Sequence, residues 1–194
     1  MTTIAPMADA STRPGERPLV NPLPILIVVG MAALAVAILI VAMRRDPGVA
    51  AHIAKDYMDV AGGLVKVQTA TSDAARLSEV VSSQLGARVE VPSLAAGGFV
   101  LEGGGVHVLR GRPVAYAIYH DALLELVVWH AFAGSVSTMP SPSDVRLVGH
   151  RQFHMQQKAT NTLVSWQAGP VVAVLTSSLP AERVVQLAAS TPRP

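Results

Sequence analysis

Residues 99–131 read FVLEGGGVHVLRGRPVAYAIYHDALLELVVWHA, and this stretch decides the fold. Phe99–Glu102, Val106–Leu109, Pro113–Tyr119 and Leu123–Ala131 are runs of β-branched, aromatic and aliphatic residues, which suit a pleated, half-buried surface. Gly103-Gly104-Gly105, Arg110-Gly111 and His120-Asp121 separate them. Short runs punctuated in this way predict antiparallel hairpins in a meander, with the three glycines read as a turn.

Downstream, residues 133–144 form a proline- and serine-rich loop. Strands are expected at roughly 145–149, 152–157, 162–167 and 171–176, the last pair joined across Ala168-Gly169-Pro170. Ser178 is placed to cap a closing helix, Pro180–Ala189, with Val184, Val185 and Leu187 inward. Upstream, Val89 and Val91 suggest a short strand ended by Pro92. Ser72 is read as the cap of a helix over 73–85, with Leu77, Val80, Val81 and Leu85 on one face and Gly86 as its stop. Leu64–Thr69 reads as a strand. Before it, Asp46-Pro47 opens a helix in which Val49, Ile53, Tyr57 and Val60 recur at helical spacing until Gly62-Gly63. That apolar stripe needs a partner, either the sheet or a second copy of the chain. The whole predicts an α+β fold: an antiparallel-sheet domain over 64–189 with flanking helices, preceded by a juxtamembrane helix at 47–63. Trp129 and Trp166 lie in runs dense with Leu and Val, so at least one is expected in the core.

Residues 25–43, ILIVVGMAALAVAILIVAM, carry no charge. As a helix this run would span roughly 28 Å, close to a bilayer's hydrocarbon thickness of about 30 Å. It exceeds the usual signal-peptide core and ends in Met43-Arg44-Arg45-Asp46, so an uncleaved single-pass transmembrane helix is expected. Arg13 and Arg17 precede it, and Arg44, Arg45 and Lys55 follow; flanking charge does not settle the orientation. Residues 1–24, with five prolines and no hydrophobic period, read as a disordered tail, as do residues 190–194.

Residues 47–194 hold 11 Lys/Arg against 10 Asp/Glu, a scattered balance that speaks against nucleic-acid binding. The absence of cysteine excludes disulfides, thiolate zinc sites, iron–sulfur clusters and cysteine nucleophiles. Gly103–Gly105 lacks the residues of a phosphate loop, no G-x-S-x-G elbow is present, and no carboxylates pair at an acid–base spacing. His150 and His154 are four apart but sit in strand-like sequence; with Met155 they make a weak candidate for a metal module. His120 and His130 fall at opposite ends of a hairpin arm, and His107, alternating with Val106 and Val108, is expected to face solvent. The chain is therefore read as non-enzymatic, with no catalytic, cofactor-binding or metal residues assigned and no cofactor.

Several stretches nevertheless carry a resemblance. They are His52 with Met58-Asp59-Val60-Ala61, then Val65-Lys66-Val67, then the run from Leu85 to Gly104, LGARVEVPSLAAGGFVLEGG. Gly111–Tyr119 (GRPVAYAIY), Leu126–Trp129 (LVVW), Leu163–Gln167 with Gly169, and Leu175–Leu179 (LTSSL) follow. Together these resemble the extracytoplasmic half of bacterial transmembrane anti-sigma factors, which regulate extracytoplasmic-function sigma factors. The likeness covers about residues 50–189 and rests on packing and turn residues. It implies an inner-membrane protein with a cytoplasmic N-terminal tail and an extracytoplasmic C-terminal domain, working as a sensor in transcription regulation. The family's usual cytoplasmic domain, with its zinc-binding histidine and cysteines, has no counterpart in the 24 residues before the apolar run. A truncated or split anti-sigma protein is therefore expected. It would meet a sigma factor directly or through a second chain, and a homodimer through the stripe is a further partner expectation. The rival expectation is an envelope assembly or scaffolding protein that reuses the domain.

Overall fold

The computed structural model describes residues 47–158 and 160–191. The tail at 1–24 and the apolar run at 25–43 lie outside the described residues, as do Asp46 and residues 192–194. Among the described residues no helix is long and apolar enough to cross a membrane.

The first helix, α1 (Pro47–Ala61), leads into a short strand, β1 (Thr69–Ala70), and a second helix, α2 (Ala74–Leu85). Then come β2 (Val100–Leu109), β3 (Arg112–His120), β4 (Leu126–Ala133), β5 (Asp144–Val148), β6 (Arg151–Lys158), β7 (Asn161–Ala168) and β8 (Val171–Ser177). A closing helix, α3 (Ala181–Ala189), follows. The eight strands form one antiparallel sheet in the order β1-β2-β3-β4-β8-β7-β6-β5. It is two four-stranded meanders joined at the centre by β4 and β8. The connection after β4 carries the chain to the far edge, where β5 starts the second meander. The expected α+β class and the antiparallel sheet are both present.

Helices cover both faces. Alternation along β4 sends Val127, Trp129 and Ala131 to one face, where Tyr119, Phe153, Trp166 and Leu175 join residues of α2 and α3 in the larger core. Both tryptophans are buried there. Val128, His130 and Phe132 point to the other face, beneath α1. Val49 and Ile53 pack with Val114, Phe132, Val172 and Val174, and Tyr57 packs with Tyr116, Ile118 and Val128. The apolar stripe of α1 is thus buried on the chain's own sheet, which removes it as the seam of a homodimer.

Several local expectations change. Gly103–Gly105 is not a turn, because β2 runs straight through it with a register shift between Leu101 and Gly103. The glycines serve close packing. A Cβ on Gly104 would lie 2.0 Å from the Tyr116 carbonyl oxygen, and one on Gly105 would lie 2.3 Å from the Gln68 side chain. Correspondingly, only Thr69 of the segment read as a Leu64–Thr69 strand pairs with β2, together with Ala70 just beyond it. Val89 and Val91 form no strand. They are buried apolar anchors whose amides donate to the hydroxyls of Ser82 and Ser78. The cap of α2 is Asp73 and not Ser72: its carboxylate accepts from the amides of Ala75 and Arg76. The β3–β4 connection extends over Asp121–Glu125, because the Asp121 carboxylate accepts from the amides of Leu123 and Glu125 and closes a turn there. Ser178 does not cap α3; Pro180 stands at that position with no side-chain bond. The Ser178 amide instead donates to the Tyr57 hydroxyl, tying the end of β8 to α1. Thr191, just past α3, stays buried and accepts from the Arg151 guanidinium.

Candidate functional site

The residues that stand out chemically lie under α1. Asp56 is seven residues from Val49 and three from Ile53, so helical geometry puts its carboxylate on the buried stripe. On β4, His130 shares its face with Val128 and Phe132 and has Tyr116 and Val174 as cross-strand neighbours. His130 Nε2 lies 2.7 Å from Asp56 Oδ2, with the imidazole fully buried and the carboxylate side chain 8% exposed. This pair fastens α1 across the middle of the sheet.

His107 completes the group. On β2 it is paired with Val114, which faces α1, so the ring points inward and not to solvent as alternation with Val106 and Val108 suggested. It stacks on Tyr116, with centroids 4.9 Å apart and planes at 23°. The Tyr116 hydroxyl donates to the Lys66 carbonyl at 3.1 Å, which holds that ring. His107 Nε2 comes to 3.6 Å from Asp56 Oδ2, beyond hydrogen-bond reach. One ligand-type atom from each of Asp56, His107 and His130 lies within 4.8 Å of the others.

Two buried atoms in this group have no hydrogen-bond partner: His107 Nε2 and His130 Nδ1. Leaving such a group unsatisfied typically costs about 1–3 kcal/mol. Burial pushes the Asp56 carboxyl up, but the His130 hydrogen bond, with the charges of His130, His107 and Lys55, outweighs it and holds Asp56 below the usual carboxylate range. Burial pushes the His107 imidazole below its ordinary range, against the opposing pull of Asp56. The site therefore joins an ionised carboxylate to two imidazoles on three different elements.

Sequence reasoning missed this constellation, although two marks of it were legible. An aspartate occupied an apolar helical stripe, and a histidine sat in a strand flanked by apolar residues on both alternations. The partnership itself depends on residues 56, 107 and 130 meeting across the sheet.

The remaining histidines are dispersed. His52 Nδ1 donates to the Gly48 carbonyl within α1, at 2.7 Å. His120 meets Glu102 at 3.2 Å and does not approach His130. His150 is exposed in the β5–β6 turn, and on β6 Met155 enters the larger core while its neighbour His154 turns to the opposite face. His150 and His154 line one shallow cleft with Gln152 and Gln167, and Met155, on the opposite face, does not join them. On the sheet face away from α1, a cleft of about 200 Å³ opens between Trp129 and Trp166, with Arg88, Glu90, Pro92 and Thr191 at its walls.

No family model, curated protein or solved structure matches this chain.

Proposed function

We propose that this chain is a single-pass, non-enzymatic regulatory protein of the bacterial inner membrane, with residues 47–191 forming an extracytoplasmic sensor domain. In this reading the run at 25–43 is the anchor, and the domain works as the equivalent part of a transmembrane anti-sigma factor works. One observation carries the reading. The helix that begins four residues after the apolar run is fastened to the central strand of the sheet by a buried carboxylate–imidazole pair. A sensor needs such a coupling, because a change in the sheet is then conveyed to the segment nearest the membrane. The cleft beside Trp129 and Trp166 offers a place for a ligand or a partner's side chain.

The test uses the full chain in its own host. C-terminal fusions should be active with a reporter that works only outside the cytoplasm and silent with one that works only inside it. Deleting the chain should change transcription from promoters of one extracytoplasmic-function sigma factor, and restoring it should reverse the change. Activity of the cytoplasmic reporter, or unchanged transcription, overturns the reading.

One feature favours the scaffolding alternative. Strand β5 is a sheet edge, and Val145, Leu147 and Val148 on it are exposed. Such an edge can accept a strand from another protein. Loss of an envelope complex on deletion, with transcription unaltered, is the outcome that selects it.

A further inference from the structure

The Asp56–His130 hydrogen bond accounts for two members of the buried cluster and leaves the third unexplained. His107 Nε2 is buried, aims at the same carboxylate oxygen, and has no hydrogen-bond partner. In the tautomer protonated on Nδ1, that nitrogen presents a free lone pair. His130 Nε2 lies 2.7 Å from the same Asp56 Oδ2, so one oxygen and two imidazole nitrogens converge on one small volume. Each comes from a regular element: α1, β2 and β4. The Tyr116 ring braces His107, and the sheet ladder fixes His130.

From this we infer that Asp56, His107 and His130 form a binding site for a divalent transition-metal ion, with zinc as the fitting ion. In tetrahedral zinc sites, metal–nitrogen and metal–oxygen lengths of about 2.0–2.2 Å place ligand atoms about 3.4 Å apart. The observed separations, 2.7 Å and 3.6 Å from Asp56 Oδ2, lie on either side of that value. Loading therefore needs the carboxylate to move slightly away from His130 and His107 to move slightly in. His130 Nε2 gives up the proton that it donates to Asp56, which passes to Nδ1 or to solvent, and binds the metal through the lone pair so freed. Two imidazoles and one carboxylate suit zinc, cobalt or nickel, whereas magnesium and calcium favour sets made of oxygen alone. Three protein ligands leave a fourth position open. His107, whose side chain is 20% exposed, marks the side from which an ion arrives.

A bound ion would join α1 to two strands, so occupancy would stiffen the attachment of the first helix. The site belongs to residues 47–191 and does not depend on the membrane reading, so either can fail without the other.

The experiment uses the untagged full chain in detergent, stripped with a chelator and titrated with Zn²⁺ and separately with Co²⁺. The expected result is one equivalent per chain, ligand-field absorption of a low-coordinate cobalt site, and a zinc-dependent rise in the melting temperature followed by tryptophan fluorescence. Mg²⁺ at the same concentrations should do neither. His107→Phe keeps the Asp56–His130 bond and the stacking on Tyr116, so it should fold. Loss of an outer-shell partner alone typically costs 10–100-fold in affinity, so loss of this ligand should weaken zinc binding by about a hundredfold or more and abolish the cobalt spectrum. His154→Gln should leave both unchanged. Wild-type affinity and spectrum in His107→Phe, or a site lost in His154→Gln, overturns the assignment. X-ray absorption at the zinc edge of the wild-type chain decides independently of any variant. A first shell with two imidazoles and otherwise oxygen supports the site, whereas a thioether or a third imidazole refutes it.

Discussion

Asp56 is an ionised carboxylate inside an apolar layer, stable there because His130 meets it at 2.7 Å. Removing the hydrogen-bond partner of a buried carboxylate strands its charge and typically costs about 3 kcal/mol or more. His130→Ala in the full chain should therefore lower the unfolding free energy by about that amount, measured by urea titration of tryptophan fluorescence. Since Trp129 and Trp166 are the chain's two tryptophans and both lie in the larger core, that fluorescence reports this domain. Tyr119 makes the opposite kind of polar contact. Its buried hydroxyl donates to the Pro92 carbonyl at 2.7 Å, and burial pushes its ionisation far above the ordinary tyrosine range. A raised acid pKa in the folded state means that its stabilising share is complete below the unfolded value, about 10, and drains away as pH rises beyond it. Wild-type melting temperature should fall steeply above about pH 10. Tyr119→Phe should melt slightly lower at neutral pH, for want of the Pro92 bond, yet decline less in alkali. An identical alkaline slope in both proteins would contradict this account. The sequence alone marked Asp56 as an acid on a helical stripe, but nothing in it named the histidine that would meet it 74 residues later.

At the scale of elements, the glycine run in β2 is where local reading and structure part. Three successive glycines between β-rich runs are a reasonable turn by composition, and the strand pairing overrides it. Gly104 and Gly105 are glycine because backbone and side chains crowd the positions a Cβ would fill. Gly111 is glycine for a different reason. It closes the β2–β3 hairpin at φ +77°, with open space around it. The two substitutions should accordingly differ. Gly111→Ala should cost about 1–2 kcal/mol, from left-handed strain alone. Gly104→Ala should cost about 3 kcal/mol or more, because the overlap is with backbone and cannot be relieved by a rotamer change. Thermal melts of the two variants side by side check the order; equal costs would mean that β2 bends away from β3 more easily than its register implies. Elsewhere the elements followed their sequence cues closely. Residues 47–61, 74–85 and 181–189 and the four strands of the second meander lie within about two residues of the expected bounds. The cues failed at Ser72, where the neighbouring Asp73 carboxylate takes the cap, and at Ser178, where the helix starts after Pro180 with no side-chain cap and the Ser178 amide donates to the Tyr57 hydroxyl instead.

For the molecule as a whole, α1 is part of the domain. Ile53 is fully buried against Val114, Phe132 and Val174, so Ile53→Glu places a carboxylate where no cation waits. The expected outcome is loss of the cooperative tryptophan-monitored melt in the full chain, not the loss of a dimer from an intact domain. Retention of the melt would return the stripe to the surface and reopen a second copy as its partner. The boundary between what each level determined follows from the range of the forces involved. Helical and strand periods and glycine stops are properties of neighbouring residues, so the three helices, the α+β class, the β2–β3 hairpin and the antiparallel pairing from β5 to β8 were written locally, whereas the passage of β2 through Gly103–Gly105 was not. The junction of β4 with β8 was not, nor was the covering of one sheet face by α1 or the meeting of Asp56, His107 and His130. These contacts join residues tens of positions apart, and they form because burying the α1 stripe on the sheet brings its single carboxylate onto two imidazoles that no local pattern connects to it.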